Sequence, residues 1–587
     1  MKKNVLALSI AAMIGGLGFA NIASADVVPG TGGAGGTVVG GVWIPDAATA
    51  ATAWKLTTTD ARDLRVTEGG TGHSLVVPYF NAQNGNMTVL HVVNTDTVYG
   101  KLAKVRFRSA ANSDDILDFQ VFLSPGDVWT AAVSAGANGV AQLTTGDGTC
   151  TLPALAKGVS QSFVTDRLSD KAGDVAAQTR EGYVEIFNMA DIDSSKFYGT
   201  ARTANSDLFT AIKHVNGTAP CTGSVLNATL ANVTTEAAAR QLGLDTPTTG
   251  LMGDWYIINV AQSTTFAGAA TALTAVTAAG GTTAGRGNFV HFPQNATAAP
   301  SPESFTSDPL FRVNFTRNNA NAAVTTAALR AANYDLPDLS TPYTLAAVGT
   351  AAVDTRVQAY NLTKALAVTS ITNQYANDPT ITAKTDWVFS MPTRRYSVAA
   401  NYAAPTTADN NYRLYTTLDT GAGAAPYATW FAPENTALQG GLICVNSTGQ
   451  AFFDREEISR TAGAVFSPGS VSQTRFCGET SVLSFADTGN SVLAASVARQ
   501  NVAAGAASGP FTNGWSVIGT GNSFTTTLGG TYSVPGTTNV ATALAAGYAS
   551  QTGLPILGAS FIKLTNPQAT AGTVGTYGIT WPHRFTK

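Results

Sequence analysis

Asn84-Gly85, followed by Met87-Thr-Val-Leu-His-Val-Val93 and closed by Asn94-Thr95-Asp96, reads as a tight turn entering a β-strand. Asn-Gly supplies the positive φ values that a hairpin turn needs, and β-branched side chains fit a pleated surface. Downstream, Lys104-Val105-Arg106-Phe107-Arg108 alternates. Val105 and Phe107 are expected to point inward and the three basic side chains outward. A polar turn is expected at Asn112 to Asp115, then a strand over Phe119 to Leu123, a Ser124-Pro125-Gly126 turn, and Val128-Trp129. Short strands broken by turns roughly every ten residues indicate an antiparallel sandwich or barrel.

The same signature recurs along the chain. Strands are expected at Tyr183 to Phe187, Trp255 to Val260, Asn288 to Phe292 and Trp387 to Met391. Others fall at Leu442 to Val445, Ser481 to Phe485 and Ser560 to Leu564. Helices are few: Thr235 to Leu242, stopped by Gly243, an Ala-rich stretch from Asn321 to Asn333, and Thr355 to Ile371. The expected class is mainly β, with antiparallel β-sandwich-like domains and a few short helices. A mostly-β N-terminal part over 61–345 and a mostly-β C-terminal part over 346–587 would divide near the Ala/Thr-rich stretch Pro342 to Ala352.

Residues 1–25 carry a basic head (Met1-Lys2-Lys3), an apolar run from Val5 to Phe19, and Ala23-Ser24-Ala25 as a small-x-small cleavage site. This is the pattern of a secretory signal, so the mature chain is expected to begin near Asp26 and to work outside the cytoplasm. Residues 26–60 read as a flexible Gly/Ala/Thr-rich leader. Within it, Gly30-Thr-Gly32-Gly-Ala-Gly35 matches GxGxxG but has neither a strand before it nor a helix after it. A dinucleotide site needs both, so the expectation is linker.

Only 12% of the 587 residues are charged, about half the ~25% usual in soluble domains. Low charge density weakens the repulsion that keeps molecules apart and favours self-association. The net charge of −3 offers no basic field for nucleic acid. No polybasic run is present for membrane docking.

Four cysteines in an exported chain suggest two disulfides. Of three connectivities, the local pairs Cys150–Cys221 and Cys444–Cys477 are favoured. Asp114, Asp115 and Asp118 form one acidic cluster and Asp191 with Asp193 another. Carboxylates on turns between strands are how extracellular modules hold Ca²⁺, so these five are candidate calcium ligands, against the simpler reading of solvated turn carboxylates. Asp454-Arg455-Glu456-Glu457 reads as an exposed, salt-bridged turn. The five histidines show no paired ligand spacing, and no GxSxG or papain-like cysteine segment occurs. No catalytic residue can be named. His91, in mid-strand, reads as a packed or interface residue, and the tryptophans read as core rather than as sugar platforms.

Several longer blocks carry a family pattern. They include Ser74-Leu-Val-Val-Pro-Tyr-Phe80, Val92-Val-Asn-Thr-Asp-Thr97, Lys104 to Arg108, Asn112-Ser-Asp-Asp115 with Asp118-Phe-Gln, and Leu123-Ser-Pro-Gly-Asp-Val-Trp129. Further blocks are Glu181-Gly-Tyr-Val-Glu185, Met189-Ala-Asp-Ile192, Trp255 to Val260, Asp386-Trp-Val-Phe-Ser-Met-Pro-Thr-Arg-Arg395 and Trp581-Pro-His-Arg584. In these the chain resembles surface-layer (S-layer) proteins of Gram-negative bacteria, of the type that sheathes vesicle-filled surface tubes. The resemblance implies a non-enzymatic lattice subunit whose partners are copies of itself and the outer-membrane surface or its lipopolysaccharide. It brings no catalytic residues. The rival expectations are a secreted adhesin or carbohydrate-binding surface protein, an outer-membrane porin, and a secreted hydrolase.

Overall fold

In a computed structural model, the structure describes residues 26–32, 36–39, 42–45, 55–165, 168–194, 206–230, 233–292, 294, 355–400, 413–415, 428–432, 434–461, 474–485, 491–502, 512–521, 525–526, 548–570 and 573–587. The signal segment, the Asn321 to Asn333 helix and the Pro342 to Ala352 division lie outside these residues.

A turn forms at Asn84-Gly85, both residues having positive φ, but it does not close the expected hairpin. It joins Ser74–Asn81 to Met87–Asn94, strands of two different sheets. The first sheet runs Cys150–Leu152, Asp115–Leu123, Gly100–Ser109, Glu181–Ile192, Ser74–Asn81, Thr271–Val276, Asp63–Thr67, with Leu244–Asp245 added beside Glu181–Ile192. The second runs Ser160–Ser162, Ala141–Thr145, Val128–Ala135, Met87–Asn94, Leu251–Asn259, Thr264–Ala269. Every pairing in both sheets is antiparallel. Their facing side chains make one core, in which Val105, Phe107, Phe119 and Val184 meet Leu90, Val92, Trp129 and Trp255. The mainly-β, sandwich-like class is what the structure shows.

The two sheets differ in how they meet solvent. Met87–Asn94 alternates between half-buried and buried positions, as a one-sided sheet should. Gly100–Ser109 is buried at every position. Its second face is covered by the short helices Asp207–Ile212, Gly223–Asn227 and Glu236–Gln241, packed through Leu208, Ile212, Leu226 and Ala239. The antiparallel pair Asp26–Val28 with Phe289–His291 completes the cover. The leader is therefore only in part what its composition suggested. Its Val-rich start adds a strand, Gly36–Val39 pairs with Val42–Pro45, and Gly30 lies so close to Thr57 that a Cβ there would fall 1.8 Å from the Thr57 carbonyl oxygen. The expected helix Thr235 to Leu242 appears as Glu236–Gln241, with Thr235 capping the Ala238 N–H through its hydroxyl.

In the C-terminal part, helix Thr355–Leu366 ends five residues earlier than its apolar periodicity suggested, and the chain passes into strand Ser370–Ala376. Two five-stranded sheets follow. One orders Ser459–Thr461, Gly449–Phe453, Asn513–Gly519, Ser370–Ala376, Arg584–Thr586. The other orders Arg499–Asn501, Thr480–Ser484, Lys384–Ser390, Leu557–Thr570, Thr573–Pro582. Trp387, Phe389, Tyr375, Phe452 and Phe485 fill the space between them. The two parts also share a core. Val388, Val482, Ala559 and Phe561 pack into the N-terminal sandwich, and Leu362, Ala365 and Leu366 of the helix cover Leu64, Val76 and Leu273.

Candidate functional site

Lys104, Arg106 and Arg108 do alternate with Val105 and Phe107, but they do not reach water. All three are fully buried, because helices and the 289–294 segment cover the face on which the sequence expected solvent. Burying a charge is costly unless it is paired, and the acidic residues supply the pairing. Lys104 Nζ donates to Asp118 Oδ1 at 2.5 Å and to Gln294 Oε1 at 2.5 Å. Arg106 Nε lies 3.5 Å from Asp118 Oδ2 and 3.9 Å from Asp115 Oδ2, with its guanidinium 5.2 Å from the Phe292 ring centroid. Arg108 Nε donates to Glu185 Oε2 at 3.0 Å.

The Asn112 to Asp115 turn is likewise buried, a correction to its reading as a solvated turn. It sits where the C-terminal part docks. Glu479 N–H donates to the Ala110 carbonyl at 2.8 Å, Ser113 Oγ meets the Tyr183 hydroxyl at 2.7 Å, and the Arg395 guanidinium donates to the Ser113 carbonyl.

Asp191 is fully buried against Lys101 Nζ at 2.7 Å, and Lys101 also reaches Asp96 at 3.3 Å. Thr248 Oγ1 donates to the second Asp191 oxygen at 2.7 Å. Asp193 faces Arg240 at 3.5 Å, which in turn holds Asp245 at 2.9 Å. Asp115, Asp118, Asp191 and Asp193 are thus brought together with the chain's own cations, while Asp114 is buried in the turn. Among the described residues, no group of three or more His, Cys, Asp or Glu side chains converges as a metal site.

Asp115 and Asp118 titrate far apart. Burial, together with the neighbouring Asp118 charge, pushes Asp115 well above the usual carboxylate range. For Asp118 burial acts in the same direction, but Lys104 and Arg106 outweigh it and hold the carboxyl well below that range. A split carboxylate pair is what general acid–base chemistry uses. Here both side chains are closed off from solvent, so the pair is read as structural. The sequence could not name its partners Glu185, Thr248, Arg240 and Gln294, since their proximity is made by the fold.

The expected disulfides both form, Cys150–Cys221 and Cys444–Cys477. Their loops of 71 and 33 positions correspond to about 4 kcal/mol each as an upper estimate from chain entropy.

His73 is fully buried and His583 half-buried, and both are held neutral. His73 Nε2 lies 2.8 Å from the Gly285 carbonyl, and its Nδ1 accepts the Ala275 N–H at 3.2 Å. His583 bonds the Val388 carbonyl at 2.9 Å and Asn373 at 2.9 Å. Burial lowers them to about 4 and about 3. The unfolded chain takes up these protons near pH 6.5 while the native state cannot, so their contribution to stability is complete above about pH 6.5 and is lost as pH falls toward 4 and then 3. Denaturation measured between pH 7 and 5 should show stability falling by about 1.4 kcal/mol per pH unit for each histidine below 6.5. His73→Gln should flatten that slope, and an unchanged slope would refute the assignment.

Two surface features stand out. Trp129, Trp255, Trp387 and Trp430 are core residues, as expected. Trp515 and Trp581 are not: they are 39% and 41% exposed, and Trp515 stacks on Phe453 with ring centroids 4.0 Å apart and planes at 8°. Phe453, Trp515 and Gln374 lie in register on three adjacent strands. They line a groove of about 930 Å³ with Asp454, Arg455, Glu457, Asn513 and Arg584. The Asp454 carboxylate fixes the rim hairpin by accepting the Glu456 and Ile458 N–H groups at 2.9 and 2.8 Å. The other feature is the solvent face of the second sheet, where His91 hydrogen-bonds the Tyr256 hydroxyl.

Among the described residues, no helix is long and apolar enough to cross a membrane. No family model, curated protein or solved structure matches this chain.

Proposed function

We propose that this chain is a structural surface-layer subunit, without catalytic function, that self-assembles into a lattice on the outer membrane and on vesicle-containing surface tubes. On this reading it works outside the cell, with copies of itself and the outer-membrane surface or lipopolysaccharide as partners. The observation that carries the reading is where the charge sits. In a chain already only 12% charged, Lys101, Lys104, Arg106, Arg108, Arg394, Arg395 and Arg413 are buried, as are Asp115, Asp118, Glu181, Asp191, Asp386 and Glu479. The surface therefore carries fewer ions than it would if these charges were exposed, as charged side chains ordinarily are, and hydroxyls and amides solvate much of it. Such a surface resists association weakly, which suits a subunit that must make several weak contacts in a propagating array.

Negative-stain microscopy of the purified mature protein tests this. Regular sheets or tubes are expected, and they are expected equally in EGTA and in calcium, because the acidic clusters are neutralised by lysine and arginine. Dispersed single particles in both buffers would overturn the lattice reading. Arrays that need calcium would place its ligands outside the two buried clusters.

One observation favours a second reading, a secreted adhesin or carbohydrate-binding surface protein. An exposed tryptophan locked by a stacked phenylalanine, beside guanidinium, carboxylate and amide groups, is chemistry that suits a sugar ring. Glycan binding abolished by Trp515→Ala, with no arrays formed by the parent protein, would select that reading. A porin is less well supported, since the described strands form open sheets packed as sandwiches.

A further inference from the structure

The outer face of the six-stranded sheet has an unusual make-up. Its central row is Ala132, Val89 and Tyr256, directly opposite one another on three strands. Val93 with Met252 lies on one side of that row and Met87 with Ile258 on the other. These side chains are half-buried by their neighbours alone. No lysine or arginine occupies an outward position on Val128–Ala135, Met87–Asn94, Leu251–Asn259 or Thr264–Ala269.

We propose that this face docks a second copy of this chain, sheet against sheet; the inference rests on the self-assembly reading above and names the surface that begins it. Three physical arguments carry it. The first is size. Five strands at ~4.8 Å spacing, each about seven residues long at ~3.4 Å per residue, present on the order of 600 Å². That area, polar positions included, approaches the ~800 Å² per partner of a standard interface.

The second is desolvation. The polar groups on the face already satisfy one another: Thr130 Oγ1 bonds His91 Nδ1 at 3.1 Å, and His91 Nε2 bonds the Tyr256 hydroxyl. Removing water from them therefore leaves few unmade hydrogen bonds. Asp254, the one carboxylate on the outer face of these strands, is exposed between Met252 and Tyr256 and directly opposite His91, so a facing copy must leave it hydrated or pair it. The third is shape. Outward side chains such as Val89, Met87, Met252 and Ile258 are of the kind that interdigitate between sheets stacked at ~10 Å. A two-fold contact of this kind closes a dimer, and other surfaces must extend it into an array.

Light scattering on the eluting mature protein, with far-UV circular dichroism for each variant, tests the face. The parent is expected to elute as a dimer or larger. Val89→Lys places two like charges at the centre of a two-fold contact and should weaken association on the order of a hundredfold, leaving a folded monomer. Thr144→Lys, on a polar position in the same row, repeats the test should the first variant fold poorly. Val98→Lys is the control: Val98 is 58% exposed but lies outside the sheet, and this variant should associate like the parent. Folded Val89→Lys and Thr144→Lys that assemble like the parent would overturn this face while leaving self-assembly standing. A parent that stays monomeric at every concentration would overturn both.

Discussion

Asp118→Ala is expected to cost about 3–5 kcal/mol of folding stability, the range for breaking a buried ion pair by removing one partner. The side chain is fully buried between Lys104 Nζ at 2.5 Å and Arg106 Nε at 3.5 Å. Without it, two buried cations lose their shared carboxylate, with Gln294, Asp115 and the faces of Phe187 and Phe292 among the groups that remain beside them. Burial also lowers Lys104, to about 8, against the raising effect of Asp118; removing Asp118 removes that support. The sign with pH follows. Because Asp118 is held below its unfolded value, its contribution is complete above about pH 4 and is lost only as pH falls through its depressed native value. Urea denaturation at pH 7 measures the cost, and a loss below about 1 kcal/mol would show that the network is not built as described. Replacing the pair together, Lys104→Met with Asp118→Leu, should recover much of the loss, since a well-packed apolar pair can equal a buried ionic one.

That network also marks how far sequence reasoning reaches. Alternation in Lys104 to Arg108 correctly separated two faces of a strand, and Asn84-Gly85 correctly marked a turn, though the strands it joins belong to different sheets rather than to a hairpin. Periodicity reports that two faces differ. It does not report that both are covered. The cover comes from residues 207–241 and 289–294, more than a hundred positions downstream, and no local pattern announces it. For the same reason the Asp residues at 114, 115, 118, 191 and 193 looked like turn ligands when read locally. In the folded chain Asp191 pairs with Lys101, ninety positions away, and Asp193 with Arg240, forty-seven away. The cysteine pairing was legible because an even count and short loops leave few alternatives. The Trp515–Phe453 stack was not, because those residues meet only through the register of two strands separated by more than sixty positions.

Phe561→Ala is expected to destabilise the whole molecule by about 3–5 kcal/mol, although Phe561 belongs to the C-terminal part. Strand Leu557–Thr570 delivers its ring into the N-terminal sandwich, fully buried, 5.4 Å from Phe266, 5.8 Å from Trp255 and 6.1 Å from Tyr79 between centroids. Other links cross the same junction. Asn81 Nδ2 donates to the Leu493 carbonyl at 2.9 Å, the Glu181 carboxylate accepts the Ser496 N–H at 2.6 Å, and Lys563 Nζ donates to Gln262 at 2.7 Å. Glu181 is a buried carboxyl raised by that burial, so its hydrogen bonds to the Ser496 N–H and the Gln83 amide are costly to lose. Each part therefore completes the interior of the other, and neither can unfold without exposing its partner's core. Calorimetry should show one cooperative transition in the parent and one lowered transition in Phe561→Ala. A variant in which a single component moves while another stays in place would mean that the parts melt independently. A subunit that melts as one body can transmit load across its length, which is what the proposed lattice reading would require of it.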